Sequence, residues 1–151
     1  MRKLLFLSAE DFGFGPVSVL TQALAAVSLP SNYQFVIEAG TNYESFLRKN
    51  HLDFVVEKNC SDILDNPACQ GSIVCQNPMA ALQSWKHDVP CIYLDNFFWF
   101  WELDLDRISS IYQKINQLKH SSDHEFTHFL DTIAQQHPHD LYVLVHFFTQ
   151  T

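Results

Sequence analysis

The chain has 151 residues, nearly half of them hydrophobic, and a formal charge of −8 at pH 7. That length fits one domain able to bury roughly 70% of its unfolded surface, and the composition excludes general disorder. The negative balance argues against a nucleic-acid backbone or an anionic membrane as the main partner, and no apolar run reaches the ~18–20 residues of a membrane span.

Taken in chain order, Leu4-Leu5-Phe6-Leu7 is a short, unbroken apolar run, as expected of a strand buried on both faces of a parallel sheet. It is too short for a signal-peptide core, so the start reads as a first strand and the protein as cytoplasmic. A glycine-containing loop, Ser8 to Pro16, leads into Val17–Val27, where Val17, Leu20, Leu24 and Val27 fall on one helical face. Gly13 and Gly15 permit a tight turn, and Pro16 suits a first helical turn. Tyr33–Ile37 reads as a second strand. Thr41-Asn42-Tyr43-Glu44 resembles a capping box opening a helix to Asn50.

Phe54–Val56 and Ser72–Cys75 are the third and fourth strands, and Pro78–Trp85 is helical. Pro90–Leu94 is a fifth strand ending at Asp95-Asn96. Leu105 to Leu118 is an amphipathic helix, and Ser122 with Glu125 caps another carrying Phe126, Phe129, Leu130 and Ile133. Leu141–Val145 reads as a sixth strand. Alternating strands and helices predict a single α/β domain over residues 1–151: a three-layer sandwich around a mainly parallel, Rossmann-like sheet of six or seven strands.

Several clusters carry candidate chemistry. Gly13-x-Gly15-x-x-Ser18 approximates a dinucleotide loop, with Glu38 placed where a ribose-binding acid would stand. Ser18 in place of the third glycine and the carboxylates Glu10 and Asp11 weaken that reading. Asp11 can accept a proton from an attacking hydroxyl or orient a polyol; equally, it can cap the following turn. Asp95 and Asn96 precede five aromatics, Phe97 to Trp101, past a strand end where open α/β sheets bind ligands. Those rings could stack on a ligand, meet a partner or plug the core.

Asn77 points to the same edge, or serves as a helix N-cap. The four cysteines lack paired spacing, and His120, His124 and His128 share a face opposite the apolar one. No metal is therefore expected. His146 reads as a core residue.

The loop Asp11-Phe12-Gly13-Phe14-Gly15-Pro16, the Asp95-Asn96 strand end before Phe97-Phe98-Trp99-Phe100-Trp101, and the run from Asp140 to Phe148 together resemble the N-terminal half of GT-B glycosyltransferases. Within these they are most similar to cytosylglucuronate-synthase-type enzymes. The resemblance implies the acceptor domain of an enzyme that moves a sugar from a nucleotide-sugar to an acceptor hydroxyl or amine. Its matching positions are Asp11, Gly13, Phe14, Gly15, Asp95, Asn96 and Trp99, with Asp11 as candidate base or acceptor-orienting group.

The family's donor domain would begin where this sequence stops. The resemblance therefore implies a chain inactive alone, with no cofactor of its own and a nucleotide-sugar held only with a second domain. It also implies a small-molecule acceptor and a second Rossmann-like subunit, or self-association, across Phe14 and the aromatic run. Two other readings stand beside it: a non-catalytic binding or interaction module using Phe97–Trp101, and a nucleotide-dependent oxidoreductase domain.

Overall fold

A computed structural model describes residues 2–10, 15–26, 28–94 and 104–149. Five strands form one parallel sheet: β1 (Lys3–Ala9), β2 (Tyr33–Glu38), β3 (Phe54–Glu57), β4 (Cys69–Cys75) and β5 (Cys91–Leu94). Their spatial order is β3-β2-β1-β4-β5, which makes β1 the central strand. The helices are α1 (Gly15–Ala25), α2 (Glu44–Lys49), α3 (Cys60–Asp65), α4 (Pro78–Lys86), α5 (Leu105–Gln117), α6 (Asp123–Gln136) and α7 (Pro138–Leu144), followed by a 3-10 turn at Val145–Phe147.

Strand alternation sorts the core into two layers. Leu7, Ala9, Phe35, Ile37 and Cys75 face α1 and α2, against Val17, Leu20, Leu24 and Leu47. Phe6, Val36, Val74 and Tyr93 face the other way, against Ile63 of α3, Leu82 of α4 and the inner faces of α5, α6 and α7. The result is a single three-layer, Rossmann-like α/β domain. On the edge strand β5, Ile92 belongs to the α1–α2 side and remains 54% exposed.

Three expectations are corrected. The described residues contain five strands rather than six or seven, because Leu141–Val145 is helical. An unbroken apolar run satisfies either period, and the surroundings decide. Pro138 stands in the first turn of α7, and Leu141, Val143, Leu144 and Val145 are all buried in the helical layer rather than added to a sheet edge. Second, the capping box at Thr41 does not form: Tyr43 is the N-cap, without a side-chain bond, and Thr41 Oγ1 is buried without a partner. Third, His146 is exposed, its ring edge-on to Tyr93. By contrast, Ser122 Oγ accepts the Glu125 N–H at 3.1 Å, and Asn77 caps α4, both as read from sequence.

Candidate functional site

From β1 the chain steps outward to β2 and β3 and then returns across to β4, so the winding reverses between β1 and β4. In open α/β sheets the crevice outside the strand ends at such a reversal is where ligands bind. There Asn77 Nδ2 donates to Ser8 Oγ at 2.9 Å, a bridge between the end of β1 and the start of α4. Asn77 is aimed there by Gln76, whose φ of +53° lies in the left-handed region that a non-glycine residue enters at a cost of about 1–2 kcal/mol. The Gln76 N–H is held by the Leu94 carbonyl at 2.9 Å, so the strained turn is locked between β4 and β5.

A cavity of about 290 Å³ opens on the α3–α4 side of this bridge. Phe6, Met79 and Ala80 line it with apolar surface, and Ser8, Glu38, Asn77, Gln83 and Thr127 line it with polar groups. Glu38, at the end of β2, accepts the backbone N–H of Cys60 at the start of α3 at 2.6 Å. Gln83 Nε2 donates to Thr127 Oγ1 at 2.7 Å, joining α4 to α6. Gln83 Oε1 is buried and has no hydrogen-bond partner. A buried acceptor left unpaired costs about 1–3 kcal/mol, so this cavity stores a demand for a donor.

Cys60 borders the same cavity, and its thiol is pushed up to about 12 by burial, reinforced by the charges of Glu38, Cys69 and Asp123. Burial likewise raises the thiols of Cys69 and Cys91. Only the thiolate attacks or binds metal, so burial that raises these thiols opposes both roles. Iodoacetamide at pH 8 should leave Cys60 unlabelled in the folded protein and label it at the rate of a free thiol in denaturant. Peptide mapping by mass spectrometry would reveal fast labelling of the native state, which would show an exposed thiol instead.

A larger depression, about 380 Å³, lies on the outer side of the domain between α5 and α6, lined by Ser110, Gln113, Lys114 and Phe129 among others. It is remote from the strand ends and gathers no buried polar groups, so the smaller cavity is the better candidate. His120, His124 and His128 are exposed, and the rings of His124 and His128 stack 6.5 Å apart, as a solvated face requires.

Of the residues singled out by sequence, Asn77 is at the bridge and Gly15 begins α1. Asp11, Gly13, Phe14, Asp95, Asn96 and Trp99, with the rest of Phe97–Trp101, lie outside the described residues. Glu10, just before them, accepts a hydrogen bond from Tyr142 of α7 at 2.5 Å. Ser8, Gln83 and Thr127 carried no sequence signal, because each lies in a segment that reads as ordinary strand or helix. Glu38 was visible as a strand-end acid.

No protein-family model and no curated protein matches the sequence. Among solved structures, the U34-tRNA thiolase NcsA from Methanococcus maripaludis with its 4Fe-4S cluster is similar at a TM-score of 0.35 and 11% identity, over 97% of this chain and 71% of that one. The resemblance to GT-B and cytosylglucuronate-synthase-type glycosyltransferases is corrected by these comparisons. That solved structure is described as a thiolase, and neither a family model nor a curated protein supports the glycosyltransferase reading. Short motifs such as Gly-Phe-Gly-Pro follow from strand-to-helix turn chemistry in many α/β domains, which is why they misdirect. Among the described residues no helix is long and apolar enough to cross a membrane.

Proposed function

We propose that this domain is a binding module for a small polyhydroxylated ligand, held in the cavity between the carboxyl ends of β1, β2 and β4 and the helices α3, α4 and α6. The observation that carries this reading is Gln83 Oε1, buried and unpaired in a residue that lines the cavity. Vicinal hydroxyls suit the rest of the lining. One donates to Gln83, another to the Glu38 carboxylate, and the Ser8 hydroxyl, whose oxygen already accepts from Asn77, can donate back. Phe6, Met79 and Ala80 provide apolar surface for the ligand's carbon skeleton.

Binding is favoured over catalysis by the state of the candidate groups. Glu38 is engaged by a helix amide, and the Cys60 thiol stays protonated. The excess of acceptors and the net charge of −8 disfavour an anion.

Titration of the labelled protein with D-ribose, D-glucose and adenosine, followed by amide NMR, should shift Ser8, Asn77 and Gln83 with at least one of the three. Inorganic phosphate should not shift them. Gln83→Leu should keep the fold and weaken the binding at least tenfold, the loss of a buried hydrogen bond. Phosphate binding there, or silence toward all three hydroxylated probes, would overturn the reading.

A further inference from the structure

At the C-terminal end of α4 a second cluster joins three helices. Asp65 ends α3, His87 is the C-cap of α4, and Asp123 stands in the first turn of α6. Each offers one ligand atom, and those atoms lie within 4.8 Å of one another. The His87 side chain is only 8% exposed. Its Nδ1 is 2.6 Å from Asp65 Oδ1, a short hydrogen bond. Its Nε2 is 3.2 Å from Asp123 Oδ1 but makes no hydrogen bond.

A neutral imidazole carries one N–H. In the tautomer that donates it from Nδ1 to Asp65, the Nε2 lone pair faces the Asp123 carboxylate oxygen. In that form Nε2, which makes no hydrogen bond, and the carboxylate oxygen 3.2 Å away are two donor atoms that one cation can join. Zinc bonds of about 2.0–2.2 Å at the tetrahedral angle separate neighbouring ligand atoms by roughly 3.3 Å. The Asp65–His87 contact matches the outer carboxylate that orients a metal-bound histidine.

We propose that His87 Nε2 and Asp123 bind a divalent transition metal of the zinc class, with Asp65 fixing the imidazole and water completing the coordination. The metal would tie α4 to α6 and, through Asp65, to α3. Asp123 is suited to the role. Its Oδ1 is within reach of both His87 Nε2 and Lys86 Nζ, each at 3.2 Å.

Lys86 is the competitor. Its Nζ is 3.2 Å from the same Asp123 Oδ1 and also donates to the Ser121 carbonyl at 2.8 Å. With two protein ligands and a neighbouring ammonium, affinity is set by how readily Lys86 yields that oxygen. Removing the ammonium should therefore tighten metal binding, the reverse of what a damaged site would show.

The test uses the whole chain with His124 and His128 replaced by alanine, since exposed histidines four apart can hold zinc on a helix surface. Zinc titration by calorimetry should give one site, and cobalt should give the visible bands of a tetrahedral nitrogen–oxygen site. His87→Gln and Asp123→Asn should abolish both signals, Asp65→Asn should weaken binding about tenfold or more, and Lys86→Met should strengthen it. Circular dichroism establishes that each variant is folded. The absence of binding in this background, or binding that survives His87→Gln, would overturn the proposal, as would weaker binding in a folded Lys86→Met protein. The cluster would then be an ion-pair network only.

Discussion

Phe126→Ala should lower the unfolding free energy by about 3–5 kcal/mol, the range for removing a fully buried aromatic ring from a core that cannot collapse around it. Phe126 is 0% exposed and stands on the inner face of α6 with Leu130 and Ile133. Its ring lies 6.4 Å from that of Trp85 on α4, and the Lys86 ammonium sits 5.7 Å from its centroid. Truncation therefore removes apolar burial, an aromatic contact and a cation–π contact at one seam. A domain of this size has about 5–15 kcal/mol in total, so the change takes a third or more of it. His128→Ala, on the solvent side of the same helix, should stay within about 0.5 kcal/mol. Urea denaturation of both variants measures the contrast. A loss below about 1 kcal/mol at Phe126 would mean that α6 does not dock on α4 as described.

Replacing Arg107 with methionine should destabilise the protein far more than replacing Arg48, although both are arginines in ion pairs. Arg48 pairs with Glu44 on the exposed face of one helix, a contact of small net value. Arg107 grips Asp140 with two parallel bonds, Nε to Oδ2 at 2.6 Å and Nη2 to Oδ1 at 3.1 Å, and so ties α5 to α7. The hydrogen bond to Asp140 holds the guanidinium pKa above its ordinary value, and the Asp140 side chain is only 6% exposed.

Without Arg107, Asp140 would be a buried carboxylate lacking its cation, and most of the penalty would come from that stranded charge. Replacing both residues, Arg107→Met with Asp140→Leu, should therefore recover much of the single-variant loss. Arg107→Lys should fall in between, since one ammonium cannot reproduce the planar two-bond fork. Unfolding free energies of Arg107→Met, Asp140→Leu and the double variant, set against the unmodified protein, form a double-mutant cycle, and purely additive effects would show that the two side chains are not coupled.

The same helix pair shows why part of the molecule was legible and part was not. Strands β1 to β5 stand where the short apolar runs placed them, and α5 and α6 follow the three- and four-residue spacing of their buried residues. Local signals also announced the caps at Asn77 and Ser122, because an N-cap acts through bonds only three residues long. α3 was invisible: Cys60–Asp65 is too short for periodicity, and its Asn59 cap reads as part of a polar loop. α7 was misread as a strand because burial on every side erases the period. Its identity depends on Pro138 and on the Arg107 fork, 33 residues away in sequence.

The candidate sites divide in the same way. Composition and the alternation of apolar runs determined an α/β domain with β1 at its start, because the period of each element is written in its own residues. Which groups converge was decided only by tertiary structure. Ser8 meets Asn77 across 69 positions, Gln83 meets Thr127 across 44, and His87 meets Asp65 across 22. No local pattern encodes such pairs, since hydrogen-bond demand and desolvation arise only when separate elements close on one another and leave a polar atom, such as Gln83 Oε1 or His87 Nε2, away from water.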